Sequence, residues 1–376
     1  LRLPTPLVII LGLLVLIVVF HDAFEVMLLP RRVKRRLRLV RIFFRVTWWF
    51  WSSLARRIRP ENLRHNCLSL YGPSSMVGLL TVWAASLIAG FGTLYWALSE
   101  GNPLRPSWFH ELYFSGITFF TVGYGDVLPH THMQKVLAVV EAGTGLGFLA
   151  TVIGYLPVLY QLFARRETRV LMLDAVAGTP PSALTLLCRH AEGQSMDDLD
   201  VLLQEWQQWA AELLESQLSY PMLAYYRSQH DNQSWLAALT SIMDCSALMM
   251  VGFKGVRTFR ARITFATSRQ AVIEMGRVFQ VGAKPLAPER LTSGDYLQLS
   301  ARLAEAGLQF GDPSDAEQRL EAFRNTYEPF LNGLAHYLIA PLPTWLPDEN
   351  QPDNWQISPR GKTARQLIDA VDAKPE

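Results

Sequence analysis

Cysteine is scarce in this 376-residue chain: Cys67, Cys188 and Cys245 lie far apart and in no CxxC pair, which argues against a disulfide framework and a zinc site. Charge is sparse too. Charged residues make up 18% against 50% hydrophobic and 11% aromatic, so wholesale disorder is excluded. Acid is nearly missing from residues 31–64, where Glu61 stands alone among the arginines and Lys34. The net charge of +2 therefore says little, because the bases are gathered in one place. No nucleophile–base–orienter set stands out, which argues against an enzyme. An initiating Met is lacking as well, so a few residues are expected to precede Leu1.

Long apolar runs are what the chain has. A bilayer takes about 20 residues of helix to cross. Three stretches qualify, at about 4–29, 76–98 and 136–163. The first has a charge-free core followed by His21, Asp22 and Glu25, with both acids expected near the inner face and within reach of the basic loop. A cleaved signal peptide is the alternative, and it fits poorly because the bases follow the apolar run. The second run is entered through Gly72-Pro73-Ser74-Ser75, a helix-start signal. The 31–64 loop and Arg165/Arg166 should both face the cytoplasm, by the positive-inside rule. That places the N-terminus and residues 100–133 outside, and everything after Ala164 in the cytoplasm.

Within the basic loop, Lys34, Arg38, Arg41 and Arg45 share one helical face, with Phe43, Phe44, Trp48, Trp49 and Trp51 nearby. One reading is an amphipathic helix on the inner leaflet, with anionic lipids as partners. The other is a voltage-sensing helix, since Arg35, Arg38 and Arg41 recur every third residue. A sensor needs partner helices, and a single span precedes this one. That favours the interfacial helix.

Between the second and third runs, an aromatic stretch from Trp108 to Phe120 leads into Thr121-Val122-Gly123-Tyr124-Gly125-Asp126. A dehydrated potassium ion needs oxygens in place of its water, and successive main-chain carbonyls can supply them. Gly123 and Gly125 stand where such a backbone must reach positive φ. Potassium would then sit among rings formed by the carbonyls of Thr121, Val122, Gly123 and Tyr124 and the Thr121 hydroxyl. Residues 108–120 are expected to form a short re-entrant helix, its partially negative end aimed at a central cavity. Thr118 is expected to support the filter. A chain with one such segment needs four copies to close a ring, which predicts a homotetramer.

Thr-Val-Gly-Tyr-Gly-Asp between two apolar helices resembles the pore module of potassium channels, over roughly residues 74–167. The resemblance implies an acid at Asp126 behind the outer filter mouth, a hinge glycine at Gly145, and cavity-facing Leu146 and Leu149. It also departs from the pattern. Phe120 replaces the Thr that often precedes the filter, and Ile117 and Phe119 make the back of the pore helix unusually apolar.

Several residues carry two readings. Gly143-Thr144-Gly145-Leu146-Gly147 mimics a nucleotide-binding motif but sits inside an apolar helix with no preceding strand. Close packing through small residues and a gating bend at Gly145 both remain. Pro157, with Tyr155, Leu156 and Tyr160 beside it, is the candidate inner gate. Glu141 is an ionisable group within a span, either functional by itself or a hydrogen-bonded brace for the filter. His130 and His132 are either external pH sensors or ordinary exposed histidines.

Residues 183–342 read as mostly helix, with patterns starting near Ser195 and at 234–251, 256–279, 294–306 and 315–337. No strand leads into a GxGxxG turn, so a Rossmann-type ligand module is not expected. Lys254, Arg257, Arg260 and Arg262 form a basic strip that is either a lipid or nucleotide site or a solvated face. Residues 219–231, rich in tyrosine and ending in His230 and Asp231, are either a site or core packing.

The expected fold class is thus an all-α membrane protein of three transmembrane helices with a re-entrant pore loop, plus an α-helical cytoplasmic domain. The expected segments are 1–30, 31–72, 73–166, a regulatory 167–342 that takes an unknown cytoplasmic ligand, and a loose tail at 343–376. Beyond the permeant potassium no cofactor is expected, and nucleic acid is not an expected partner. A channel-derived sensor or scaffold that does not conduct is the rival reading.

Overall fold

The computed structural model describes residues 4–27, 39–99, 106–228, 233–285, 289–348 and 353–354. Among these residues the protein is all helix, with no strand beyond an isolated bridge between Phe253 and Phe310. It divides into two compact units, Leu1–Gln161 and Leu162–Glu376.

The first unit contains α1 (Thr5–Met27), α2 (Leu39–Ala55), α3 (Glu61–Leu98), α4 (Trp108–Phe119) and the beginning of α5 (His132–Ala177). Helices α1, α3 and α5 are each long and apolar enough to cross a membrane. Helix α1 packs on α3 through glycines: a Cβ on Gly12 would lie 3.1 Å from the Gly90 carbonyl, and one on Gly90 would lie 2.7 Å from Leu16. Nearby, the Trp83 indole N–H donates to buried Asp22 at 3.0 Å. The basic positions 31–38 lie outside the described residues; Arg41 and Arg45 stand on α2.

Helix α3 starts earlier than its sequence suggests. Pro60 is extended at the N-cap and the helix runs on through Pro73, so Gly72-Pro73-Ser74-Ser75 is not its beginning. Packing overrides the proline. Tyr71 and Met76 are buried, and the Tyr71 hydroxyl lies 2.9 Å from Thr47 on α2 while the Trp51 indole N–H donates to the Cys67 carbonyl at 2.9 Å. Ser75 donates to the Gly72 carbonyl at 2.8 Å. Helix α5 also outruns the expected 136–163. Its later turns bury Phe163, Arg166, Val170, Leu173 and Ala177 on one face, and Gly178 ends it at φ 81°.

The second unit adds α6 (Ala183–Glu192), α7 (Met196–Ser219), α8 (Trp235–Val251), α9 (Phe259–Phe279), α10 (Ser293–Glu305), α11 (Ala316–Asn325) and α12 (Glu328–Leu338). Helix α8 is buried along nearly its whole length, with α9, α6 and α11 packed against it. Ser182, Ser234 and Thr292 cap α6, α8 and α10 by accepting from backbone N–H groups in their first turns. The single helix expected at 315–337 is two. The chain breaks at Thr326 and Tyr327, just before Pro329, which cannot donate a helical hydrogen bond.

A buried ionic cluster joins these helices. Arg290 reaches Asp244 at 2.6 Å and Glu328 at 2.8 Å, Arg324 reaches Glu328 at 3.2 Å, and the Tyr327 hydroxyl donates to Asp244 at 2.6 Å. Burial opposes the charge on Arg290, but Asp244 and Glu328 outweigh it and raise the guanidinium's pKa. The segment after α12 does not hang loose where it is described. Trp345 is 1% exposed, stacked near Arg290 and Arg324, and Asp353 pairs with Arg189 at 2.6 Å.

Candidate functional site

Helix α4 begins at Ser107, whose side chain accepts from the His110 N–H at 3.2 Å, and ends where the TVGYGD segment starts. The first amides of that segment bond back to the helix end: Thr121 N–H to the Thr118 carbonyl at 3.0 Å, and Val122 N–H to the Ile117 carbonyl at 2.8 Å. Positive φ then recurs at alternate residues, 54° at Thr121, 53° at Gly123 and 80° at Gly125. Alternation between left- and right-handed backbone turns successive carbonyls to one side and successive N–H groups to the other. Glycine is needed at 123 and 125 for that conformation and not for space, since a Cβ there would meet nothing within 4 Å. Positive φ at Thr121 was not foreseen: a β-branched residue at φ 54° is an outlier that the bonds to α4 must hold in place.

Two glycines seat α4. A Cβ on Gly92 of α3 would stand 3.0 Å from the Leu112 Cα, and one on Gly145 of α5 would overlap the Phe119 carbonyl oxygen. The glycine at 145 is thus required by the close approach of α5 to the end of α4. Gly143, Gly147 and Gly154 have open space where a Cβ would be.

Beside α4 and the TVGYGD segment lies a buried polar ladder, of which the sequence signalled only Glu141. That residue, fully buried, accepts from the Tyr95 hydroxyl at 2.8 Å and touches the Ser115 hydroxyl. One level away, the Ser99 hydroxyl lies 2.8 Å from Glu111, and the Gln134 amide donates to Ser99 at 2.9 Å. Gln134 in turn accepts from the His130 and Thr131 N–H groups at 3.0 and 3.1 Å, fastening the chain between the TVGYGD segment and α5. Asp126 accepts from the Tyr113 hydroxyl at 2.9 Å. Polar residues at 95, 99, 111, 115, 134 and 141 in otherwise apolar helices were the available signal.

The remaining positions are dispersed. Leu146 and Leu149 are 62% and 55% exposed, on the same face of α5 as Val139, Ile153 and Tyr160. Helix α5 passes through Pro157 unbroken, with Tyr155 buried. His130 and His132 are exposed. In the second unit, Arg257 stands 3.8 Å from Asp197 at the surface. The Tyr225 hydroxyl lies 2.7 Å from that of Tyr337, while His230 and Asp231 fall outside the described residues.

Residues 83–161 match the family described as Ion channel, a stretch that takes in α4, the TVGYGD segment and the adjoining turns of α3 and α5. The chain is 24% identical over 209 residues to the uncharacterized membrane protein YdjJ of Bacillus subtilis (strain 168), covering 54% of this chain and 60% of that protein. It is 54% identical over 37 residues to the two-pore potassium channel 4 of Arabidopsis thaliana, covering 10% of this chain and 13% of that one. The chain thus spans less than two thirds of either relative. No solved structure matches it. By fold and family match, this is a multi-pass, all-α membrane protein with an ion channel domain.

Proposed function

We propose that the chain is one subunit of a homotetrameric, potassium-selective channel that conducts passively through rings of the carbonyls of Thr121, Val122, Gly123 and Tyr124, closed at the outer mouth by Gly125. The observation that carries this reading is the alternating positive φ at Thr121, Gly123 and Gly125, at the end of a short helix between two spans. Such a backbone offers a dehydrated cation stacked oxygens from one side, and four copies complete each ring. The open face of α5 supports assembly. Val139, Leu146, Ile153 and Tyr160 recur every seventh residue and are 74%, 62%, 63% and 67% exposed in the single chain. That spacing suits a helix packed in a bundle with its own copies around a cavity.

In this reading Thr118 and Asp126 brace the filter, Leu146 and Leu149 line the cavity, and Tyr155, Pro157 and Gly145 belong to the element that opens. The N-terminus lies outside and the second unit in the cytoplasm, where it regulates opening, with anionic lipid held by the bases of 31–64. The test is flux from potassium-loaded liposomes. Potassium should leave, barium should block it, and Gly123→Ala should abolish it; silent wild-type liposomes would favour a non-conducting scaffold.

A further inference from the structure

We infer that Glu141 acts as a neutral carboxylic acid, donating one hydrogen bond and accepting another, and so positions the pore helix against both flanking spans. The inference comes from counting protons. The Ser115 hydroxyl lies 2.9 Å from the Ile88 carbonyl and in close contact with Glu141 Oε1. A serine hydroxyl has one hydrogen to give. Were Glu141 ionised, that hydrogen could serve one of the two oxygens, and the other contact would be oxygen against oxygen with nothing between. A proton on Glu141 removes the conflict. Glu141 then donates to Ser115, Ser115 donates to the Ile88 carbonyl, and Tyr95 donates to Glu141 Oε2 at 2.8 Å. The three bonds close a loop from α3 through α5 and α4 and back to α3.

Charge balance points the same way. Among the described residues Glu141 has no ion-pair partner. Its partners are two hydroxyls, and the nearby buried acid Glu111 is itself bonded to Ser99. Because Glu141 is fully enclosed within one chain, a neighbouring copy cannot reach it with a cation. A carboxylate so placed would bear its full desolvation cost; a neutral acid does not. The function of the loop is positional. Ser115 lies two residues before Ile117, whose carbonyl accepts from Val122 and Gly123, so holding Ser115 fixes the base of the filter.

This inference rests on the potassium-channel reading for its consequence but not for its chemistry, and the experiment separates the two. Full-length protein in liposomes is examined by infrared spectroscopy, as wild type minus Glu141→Gln, and by potassium and sodium flux. The difference spectrum should contain the carbonyl band of a protonated carboxyl. Glutamine, which can donate to Ser115 and accept from Tyr95, should keep the preference for potassium. Glu141→Ala should lose about tenfold or more of it, as expected when a reacting geometry is misplaced. A difference spectrum without that band, or Glu141→Gln as damaging as Glu141→Ala, would overturn the inference. If wild type carried no potassium, the channel reading would fall while the infrared band still decided the state of Glu141.

Discussion

Gly145 and Phe119 meet backbone to backbone: a single methyl group on Gly145 would overlap the Phe119 carbonyl oxygen. Phe119 is the last residue of α4, so this contact fixes how deeply α4 sits between α3 and α5. Main-chain overlap cannot be relieved by a change of rotamer. Gly145→Ala is therefore expected to destabilise the first unit by about 1–3 kcal/mol, the usual cost of overpacking. The thermal unfolding temperature of the purified protein should fall for Gly145→Ala and hold for Gly143→Ala and Gly147→Ala. If Gly145 served only as a hinge, alanine would leave stability unchanged and alter opening alone.

The ionic cluster in the second unit predicts an asymmetric response. Removing one partner leaves the others buried and uncompensated, so Asp244→Ala or Arg290→Ala should cost about 3–5 kcal/mol. Hydrogen exchange in α8 and α12 of the full chain reads this directly. Exchange rates near wild type in both variants would mean that the cluster is not buried as described.

Trp345 offers a second check on the same unit. It is 1% exposed, and its indole N–H lies 3.3 Å from Glu328. Trp345→Ala should destabilise the unit by about 3–5 kcal/mol, as for other buried tryptophans. Protease cleavage within the segment after α12, slow in the wild type, should then become fast.

Burial, with Glu192 adding to it, pushes the Cys188 thiol up to about 11. Thiolate is the reactive form, so alkylation of Cys188 should rise about tenfold per pH unit across the mildly alkaline range. The thiol stands on α6 with its Sγ 4.0 Å from the Arg302 carbonyl of α10, and a plateau near pH 8 would contradict that placement.

Much of the helical framework around TVGYGD was readable in advance because its pattern is local. The TVGYGD run, its glycines and the apolar helices around it are contiguous in sequence, and the structure keeps them so. What escaped reading depends on distance or packing. Pro73 reads as a helix start until Tyr71 is seen buried against α2. The ladder joins Tyr95 to Glu141 and Ser99 to Gln134, pairs separated by 46 and 35 residues, and only Glu141 looked unusual alone. Trp345 sits among prolines and acids that suggest a loose tail, yet its partners Arg290 and Arg324 come from elsewhere in the unit. Thr121 has the opposite difficulty: its positive φ defies its own residue type and is set by the bonds to α4.

The central claim is that the backbone at 121–125 surrounds a dehydrated potassium ion. The reversal potential of the purified full-length protein in a planar bilayer, with potassium on one side and sodium on the other, tests it most directly. The potential should lie far toward the potassium equilibrium value, a preference of about a hundredfold or more, and collapse toward zero in Gly123→Ala if any current survives. A wild-type reversal potential near zero would contradict the account.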